Sequence, residues 1–234
     1  MQIKNLIILN KNLPSNEQIL VALLLTFVGG FFDAYTFINS KGIFANAQTG
    51  NLIFIGLEIA KGDFLASFNY VPPVLFFIMG VIFNEYIVTK YSNLSIARYL
   101  NLSLIIQTIL LVIVYLVPNI IVFDIRPLII SFVCAMQYDS FRTVNKIPFA
   151  SIFCTGNLRS ASEHLFRYFY KKELASRNKS ILYFVIILFF FSGVIVGGIF
   201  SNIFGHRAIL LTILILLFNL FISTIHDKYI FNKN

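Results

Sequence analysis

Two acidic residues stand in otherwise apolar stretches of this chain, and the same three residues follow each at the same distance. Asp33 precedes Thr49-Gly50-Asn51 by 16 positions, and Asp139 precedes Thr155-Gly156-Asn157 by 16 positions. A charge inside an apolar segment costs about 2.5–3.5 kcal/mol on insertion scales, and such residues mark ion or proton paths by default. The chemistry open to the pair is cation binding or proton relay, with two carboxylates near a pseudo-twofold axis sharing one proton. The alternative is structural: each Asp caps the turn that follows or bonds a neighbouring helix. Thr-Gly-Asn suits a helix start, because Thr can cap, Gly permits close backbone approach and Asn can bond backbone or ligand. A helix that starts inside a membrane offers free N–H groups and the positive end of its dipole. The candidate small-molecule or ion site is therefore Asp33, Thr49, Gly50, Asn51, Asp139, Thr155, Gly156 and Asn157, with Asn46 and Gln137 as polar neighbours. Asn46 and Gln137 read first as helix–helix hydrogen bonders.

The elements that must position these residues are membrane spans. The chain has 234 residues, 58% hydrophobic and 12% charged, whereas a soluble domain carries about a quarter charged residues. Eight apolar segments follow one another: 18–38, 43–59, 71–89, 100–117, 128–141, 149–166, 181–203 and 208–225. Ser15 and Gln18 match a capping box ahead of the first, Pro72-Pro73 suit a first turn, and Pro118 stops the fourth. The polar first 17 residues and the length of the first apolar stretch, which carries Asp33, point to a retained span and not a cleaved signal. The net charge of +8 does not point to nucleic acid, because the basic residues lie between apolar stretches, where they orient spans in a lipid bilayer.

The segments form two series of four. Besides the Asp and Thr-Gly-Asn matches, Asn39 corresponds to Asn145, Lys41 and Phe44 to Lys146 and Phe149 after a one-residue shift, and Gly80-Val81-Ile82 to Gly193-Val194-Ile195. The chain thus divides into a cytoplasmic segment 1–17, a membrane repeat 18–120, a second repeat 127–226 and a cytoplasmic tail 227–234. If the Thr-Gly-Asn segments cross, the repeats are parallel with eight spans. If they only dip in, each repeat has three spans and the second is inverted. The second such segment carries Arg159, Glu163 and His164, and polar backbone at membrane depth survives only inside protein or beside a water-filled cavity. Counting agrees: six spans leave Lys41, Lys61, Arg126 and Arg207 outside, so 14 of the 18 basic residues are inside, against 12 with eight spans. The expected fold is all-α: about six transmembrane helices plus two broken, re-entrant elements, arranged as two inverted repeats with both termini cytoplasmic.

No P-loop, His-Glu-x-x-His or Gly-x-Ser-x-Gly is present, so neither an enzyme nor a cofactor is expected. Cys134 and Cys154 have no CxxC spacing and suggest neither a metal site nor a disulfide. Broken helices in paired repeats mark a transporter's site, so the expected function is a secondary transporter, proton- or cation-coupled, with a midplane site between repeats. A passive facilitator and a non-transporting scaffold are the alternatives, and homo-oligomerisation is left open. Gly29-Gly30-x-x-Asp33-Ala34-x-x-Phe37, Phe44 and Thr49-Gly50-Asn51 resemble the YoaK-like family of bacterial membrane proteins, which has no assigned function. In the second half, residues Met136 to Ser140 resemble that family's Gly-x-Gln-Asn-Ala stretch, with Asp139 where the family carries an amide. The resemblance covers nearly the whole chain and implies the bacterial inner membrane.

Overall fold

The computed structural model describes residues 13, 15–91, 95–117, 124–152 and 154–231. Most of the expected 1–17 segment, the end of the tail (232–234) and the Pro118 stop lie outside the described residues. The fold is helical. Helix α1 (Ile19–Asn39) is followed by an irregular stretch, then α2 (Gln48–Ala60), a single turn α3 (Phe64–Ser67), α4 (Val71–Lys90) and α5 (Ile96–Leu116). The second half repeats the order: α6 (Arg126–Ser140), a two-stranded hairpin over 143–148, α7 (Cys154–Lys171), α8 (Leu174–Phe204) and α9 (Leu210–Phe231).

Four stretches are long and apolar enough to cross a membrane: Ile19–Asn39, Phe64–Lys90, Arg98–Leu116 and Leu174–Asp227. The last, at 54 residues, turns at Gly205 (φ 55°), which divides α8 from α9. The outer faces of α4 and α9 are unbroken rows of exposed apolar side chains, Leu75, Ile78, Met79 and Ile82 on one and Leu214, Leu217, Phe218 and Phe221 on the other. Apolar surface of that extent is what lipid covers. Helix α1 is the central element: 78% of its most apolar window is buried, against 22–39% in the other three stretches.

Close backbone approach fixes how the helices pair. A Cβ on Gly30 of α1 would overlap the carbonyl oxygen of Phe190 of α8, and one on Gly193 would overlap that of Phe27. A Cβ on Gly197 would lie 2.9 Å from the Cα of Phe31, so the two helices run parallel in contact over several turns. The same device joins α4 to α6, where a Cβ on Gly80 would lie 2.6 Å from the Phe132 carbonyl oxygen. Small residues at such crossings let helices without charge or hydrogen bonds pack through dispersion. Each half therefore lends its first helix to the third long helix of the other half.

The first helices of the halves meet each other head to tail. Gln137 Nε2 of α6 donates to the Leu25 carbonyl of α1 (3.0 Å). At the other end, Tyr35 of α1 donates to the His206 carbonyl (3.0 Å) and Arg126, which opens α6, lies 2.9 Å from His206 Nε2. Helices α5 and α9 are likewise antiparallel: Asn101 donates to Asp227, while Val117 and His206 both meet Arg126.

One expectation is corrected here. The Ser15–Gln18 capping box does not form. Residues Ser15–Glu17 make a 3₁₀ turn, and the Gln18 amide instead reaches the Leu13 carbonyl (2.8 Å) and the buried His226. His206 and His226 are tied into the ends of the bundle.

The glycine contacts yield a direct test. Gly30→Ala forces α1 and α8 apart, and overpacking of this kind costs about 1–3 kcal/mol. It should lower the thermal unfolding midpoint of the purified protein in detergent, whereas Gly56→Ala, with nothing within 4 Å of the added methyl, should not.

Candidate functional site

The two stretches that precede α2 and α7 leave helical geometry beside the apolar core, so their backbone groups need partners. The Asn of each Thr-Gly-Asn supplies them. Asn51 accepts from the Phe44 N–H through Oδ1 (3.0 Å) and donates from Nδ2 to the Phe44 carbonyl (2.8 Å). Asn157 does the same to Ala150, at 3.2 and 2.7 Å. Both amides are buried and both reach back seven residues. The side-chain amide clamps one residue at both its backbone donor and its backbone acceptor, which takes a side chain that carries both kinds of atom. The second half adds a two-residue turn at Asn145 and Lys146 (φ 48° and 61°), and the first half turns at Lys41 and Gly42 (φ 54° and 78°).

The other members of the motifs point elsewhere. Thr49 and Thr155 are both exposed. Gly50 is needed because a Cβ there would lie 2.8 Å from the Phe44 ring, whereas Gly156 has open space beside it. The expectation that Thr and Gly of both copies line one site is therefore not matched by their placement. The Asn residues are brought into the protein as latches.

Asp33 completes the first break. Its Oδ1 accepts from the Asn46 N–H (2.8 Å) and from Ala47 (3.4 Å), so its carboxylate holds the residues leading into α2. Asn46 is fully buried, and its Nδ2 donates to the Gly29 carbonyl (2.6 Å), one turn earlier on α1. The second break arrives at the same place: the Ser151 carbonyl and Ile152 pack on Gly29, where a Cβ would lie 3.0 and 3.3 Å from them. Cys134 and Cys154 lie within electrostatic range of Asp33. The breaks of both halves thus converge on one turn, Gly29 to Asp33, near the middle of the central helix. Gln137 binds one turn further along, on Leu25. Among the described residues, three buried acceptors near this turn have no partner: Asn46 Oδ1, Gln137 Oε1 and Ser151 Oγ.

Asp139 is not part of this cluster. It pairs with Arg142 and accepts from Asn84 Nδ2 (2.7 Å). Arg142 also bridges to Glu85 (2.6 Å), and Ser140 links Asn84 to Tyr99 and Ser103. The carboxylates of Asp139 and then Glu85 hold the Arg142 guanidinium still more firmly protonated than usual. The antiparallel register, Leu25 against Gln137, places Asp33 and Asp139 on opposite sides of the helix crossing. At 1.5 Å per residue that separation is roughly 15 Å along the axis. The expected proton-sharing pair is therefore corrected to two separate carboxylates, one among backbone N–H groups and one in an ion-paired network. Ser103 and Ser151 escaped the sequence reading, and Asn84, beside Glu85 in the third apolar segment, was not among the site residues. Asn84 stands four positions after Gly80, as Gly197 does after Gly193, and that mismatch in the repeat was its available signal.

An all-helical protein with membrane-length apolar stretches and two side-chain-latched helix breaks is the class these features define. The chain belongs to the family of proteins of unknown function DUF1275, whose family profile matches residues 21–222. No curated protein and no solved structure matches the chain.

The latches can be weighed against their neighbours. Asn157→Ala removes two hydrogen bonds and leaves a peptide unit unsatisfied, which should cost about 2–4 kcal/mol and lower the thermal midpoint clearly. Thr49→Ala and Thr155→Ala should leave it unchanged. Gly156→Ala should be neutral or slightly stabilising, as the gain in helix propensity is about 1 kcal/mol or less, while Gly50→Ala should destabilise.

Proposed function

We propose that this protein is a small secondary transporter of the bacterial inner membrane, carrying a small molecule or an ion through a site at the Gly29–Asp33 turn. The observation that carries the reading is the convergence of two helix breaks, one from each half, on the middle of the most buried helix. Irregular backbone at that depth is tolerated only where protein or a polar cavity surrounds it, and paired discontinuous helices are how many carriers present N–H groups and acceptors to a substrate.

The arrangement is read as two inverted repeats, each with three spans and one broken helix. The spans are α1, α4, α5, α6, α8 and α9. The antiparallel contacts of α1 with α6 and of α5 with α9 support inversion, because eight spans with parallel repeats would make both pairs parallel. Helix α6, at 15 residues, is short for a crossing of about 20 residues, but its ends are satisfied by protein: Asp124 at Arg126, and Arg142 at Asp139. Helix α7 runs from the central turn back along the first half of α8, where Ser180 donates to the Ala161 carbonyl and Arg177 stacks on Tyr168. That path brings Arg159, Glu163, His164 and Arg167 toward the same face as the start of α8, the cytoplasmic face on the positive-inside rule.

Topology and flux test the two parts. In a background where Cys154 is replaced by Ser, a cysteine at Lys61 and one at Lys172 should react with a membrane-impermeant maleimide from opposite sides of the membrane. Labelling of both from one side would remove the inverted arrangement. In proteoliposomes screened with metabolites and ions, Asp33→Asn should abolish coupled uptake and Thr155→Ala should not. Passive flux that survives Asp33→Asn would instead favour a fixed pore.

A further inference from the structure

Asp33 presents its carboxylate to the backbone of the stretch leading into α2. Its Oδ1 takes both Asn46 and Ala47, and the Ala45 backbone N–H adds a third, weaker interaction with the carboxylate. The residue is 7% exposed, and among the described residues no cation is hydrogen-bonded or ion-paired to it, in contrast to Asp139 with its Arg142. A carboxylate removed from water without a counter-charge costs several kcal/mol. Besides the thiols of Cys134 and Cys154, the same turn of α1 is met by two residues with unpartnered oxygens. The Asn46 amide bridges the same turn, its Nδ2 committed to the Gly29 carbonyl and its Oδ1 left without a donor. Ser151, fully buried, packs on Gly29 and leaves its Oγ without a partner. These acceptors belong to residues fixed at Gly29 and Asp33, within one helical turn of about 5.4 Å.

We infer that the Asp33 Oδ2, Asn46 Oδ1 and Ser151 Oγ oxygens form a binding site for a single dehydrated alkali-metal cation. The donor set is all oxygen, which selects a hard cation over a transition metal. One carboxylate among neutral oxygens balances one positive charge, so a divalent ion would stay half-compensated inside an apolar bundle. Gly29 suits this contact, because a Cβ there would lie 3.0 Å from the Ser151 carbonyl oxygen. The Gln137 oxygen, one turn away beside Leu25, is a further unpartnered acceptor among the described residues. This inference rests on the transport reading above and names its coupling ion.

The test separates the two. Purified protein in detergent is unfolded thermally in sodium, potassium or lithium chloride and in N-methylglucamine chloride at equal ionic strength. One alkali cation should raise the midpoint in a saturable manner, since a ligand of the native state stabilises it by mass action. Equilibrium binding of the radioactive ion should then give one per chain. Asp33→Asn, which keeps the Oδ1 acceptor and removes the charge, should abolish the shift. Ser151→Ala removes a hydroxyl that bonds nothing, so it should fold as the parent does and bind about tenfold more weakly, the equivalent of one lost neutral ligand. Equal midpoints in alkali and N-methylglucamine salts, or a shift retained in Ser151→Ala at unchanged affinity and in Asp33→Asn, would overturn the site. Ion binding without flux of any substrate in proteoliposomes would keep the site and remove transport, while flux indifferent to alkali cations, with no binding, would remove the site alone.

Discussion

A chain that leaves helical geometry inside an apolar bundle must replace every lost backbone hydrogen bond from side chains, since no water is at hand to do so. Everything distinctive here follows from meeting that requirement twice. Each replacement is an Asn that grips a peptide unit seven residues back, on Phe44 in one half and Ala150 in the other. An unsatisfied buried amide or carbonyl costs about 1–3 kcal/mol, comparable to a large share of the net stability of a domain. The latch is therefore a condition for having a helix start at this depth at all.

The breaks also need room, and glycine contacts provide it. Parallel packing of α1 on α8 and of α4 on α6 draws backbones together at Gly30, Gly193 and Gly80. That leaves α1 sheathed by helices of the other half and lets the stretch at Ser151 reach Gly29. A bulkier residue at Gly29 would hold Ser151 off and separate the second break from Asp33. Packing through small residues and the convergence of the breaks are thus one arrangement seen from two sides.

Much of this was legible in the residues. Helix positions followed from apolar runs, and α1, α4 and α8 begin or end close to their sequence-derived limits. The recurrence of Asp and Thr-Gly-Asn falls at the two irregular stretches that lead into α2 and α7. What the repeat could not convey was which residue of each triplet turns inward, because periodicity across a helix start that follows an irregular stretch is undefined until its first turn is placed. The Thr residues face out and the Asn residues in. Nor could it convey that equal spacing along the chain becomes separation in space when the two first helices run antiparallel. Gln137 against Leu25 sets that register, and no one-dimensional pattern contains it.

The two Asp residues show how duplicated halves diverge under one constraint. Each began in the same position relative to a break, and each must compensate a carboxylate near apolar surroundings. At Asp139 the compensation is covalent to the chain: Arg142, three residues on, and Asn84, from the neighbouring helix, surround it. Such a group is neutralised permanently and its partners are spent on it. At Asp33 the partners are backbone N–H groups of residues 45–47, and partial dipoles do not balance a full charge. Among the described residues no counter-charge is paired with it, and the Asn46 and Ser151 oxygens of the same region also lack donors. Divergence has thus left one half of the molecule ion-paired and the other held by backbone dipoles, and the site proposed at Asp33 rests on that inequality, where the symmetry of the sequence alone would have placed it between the two.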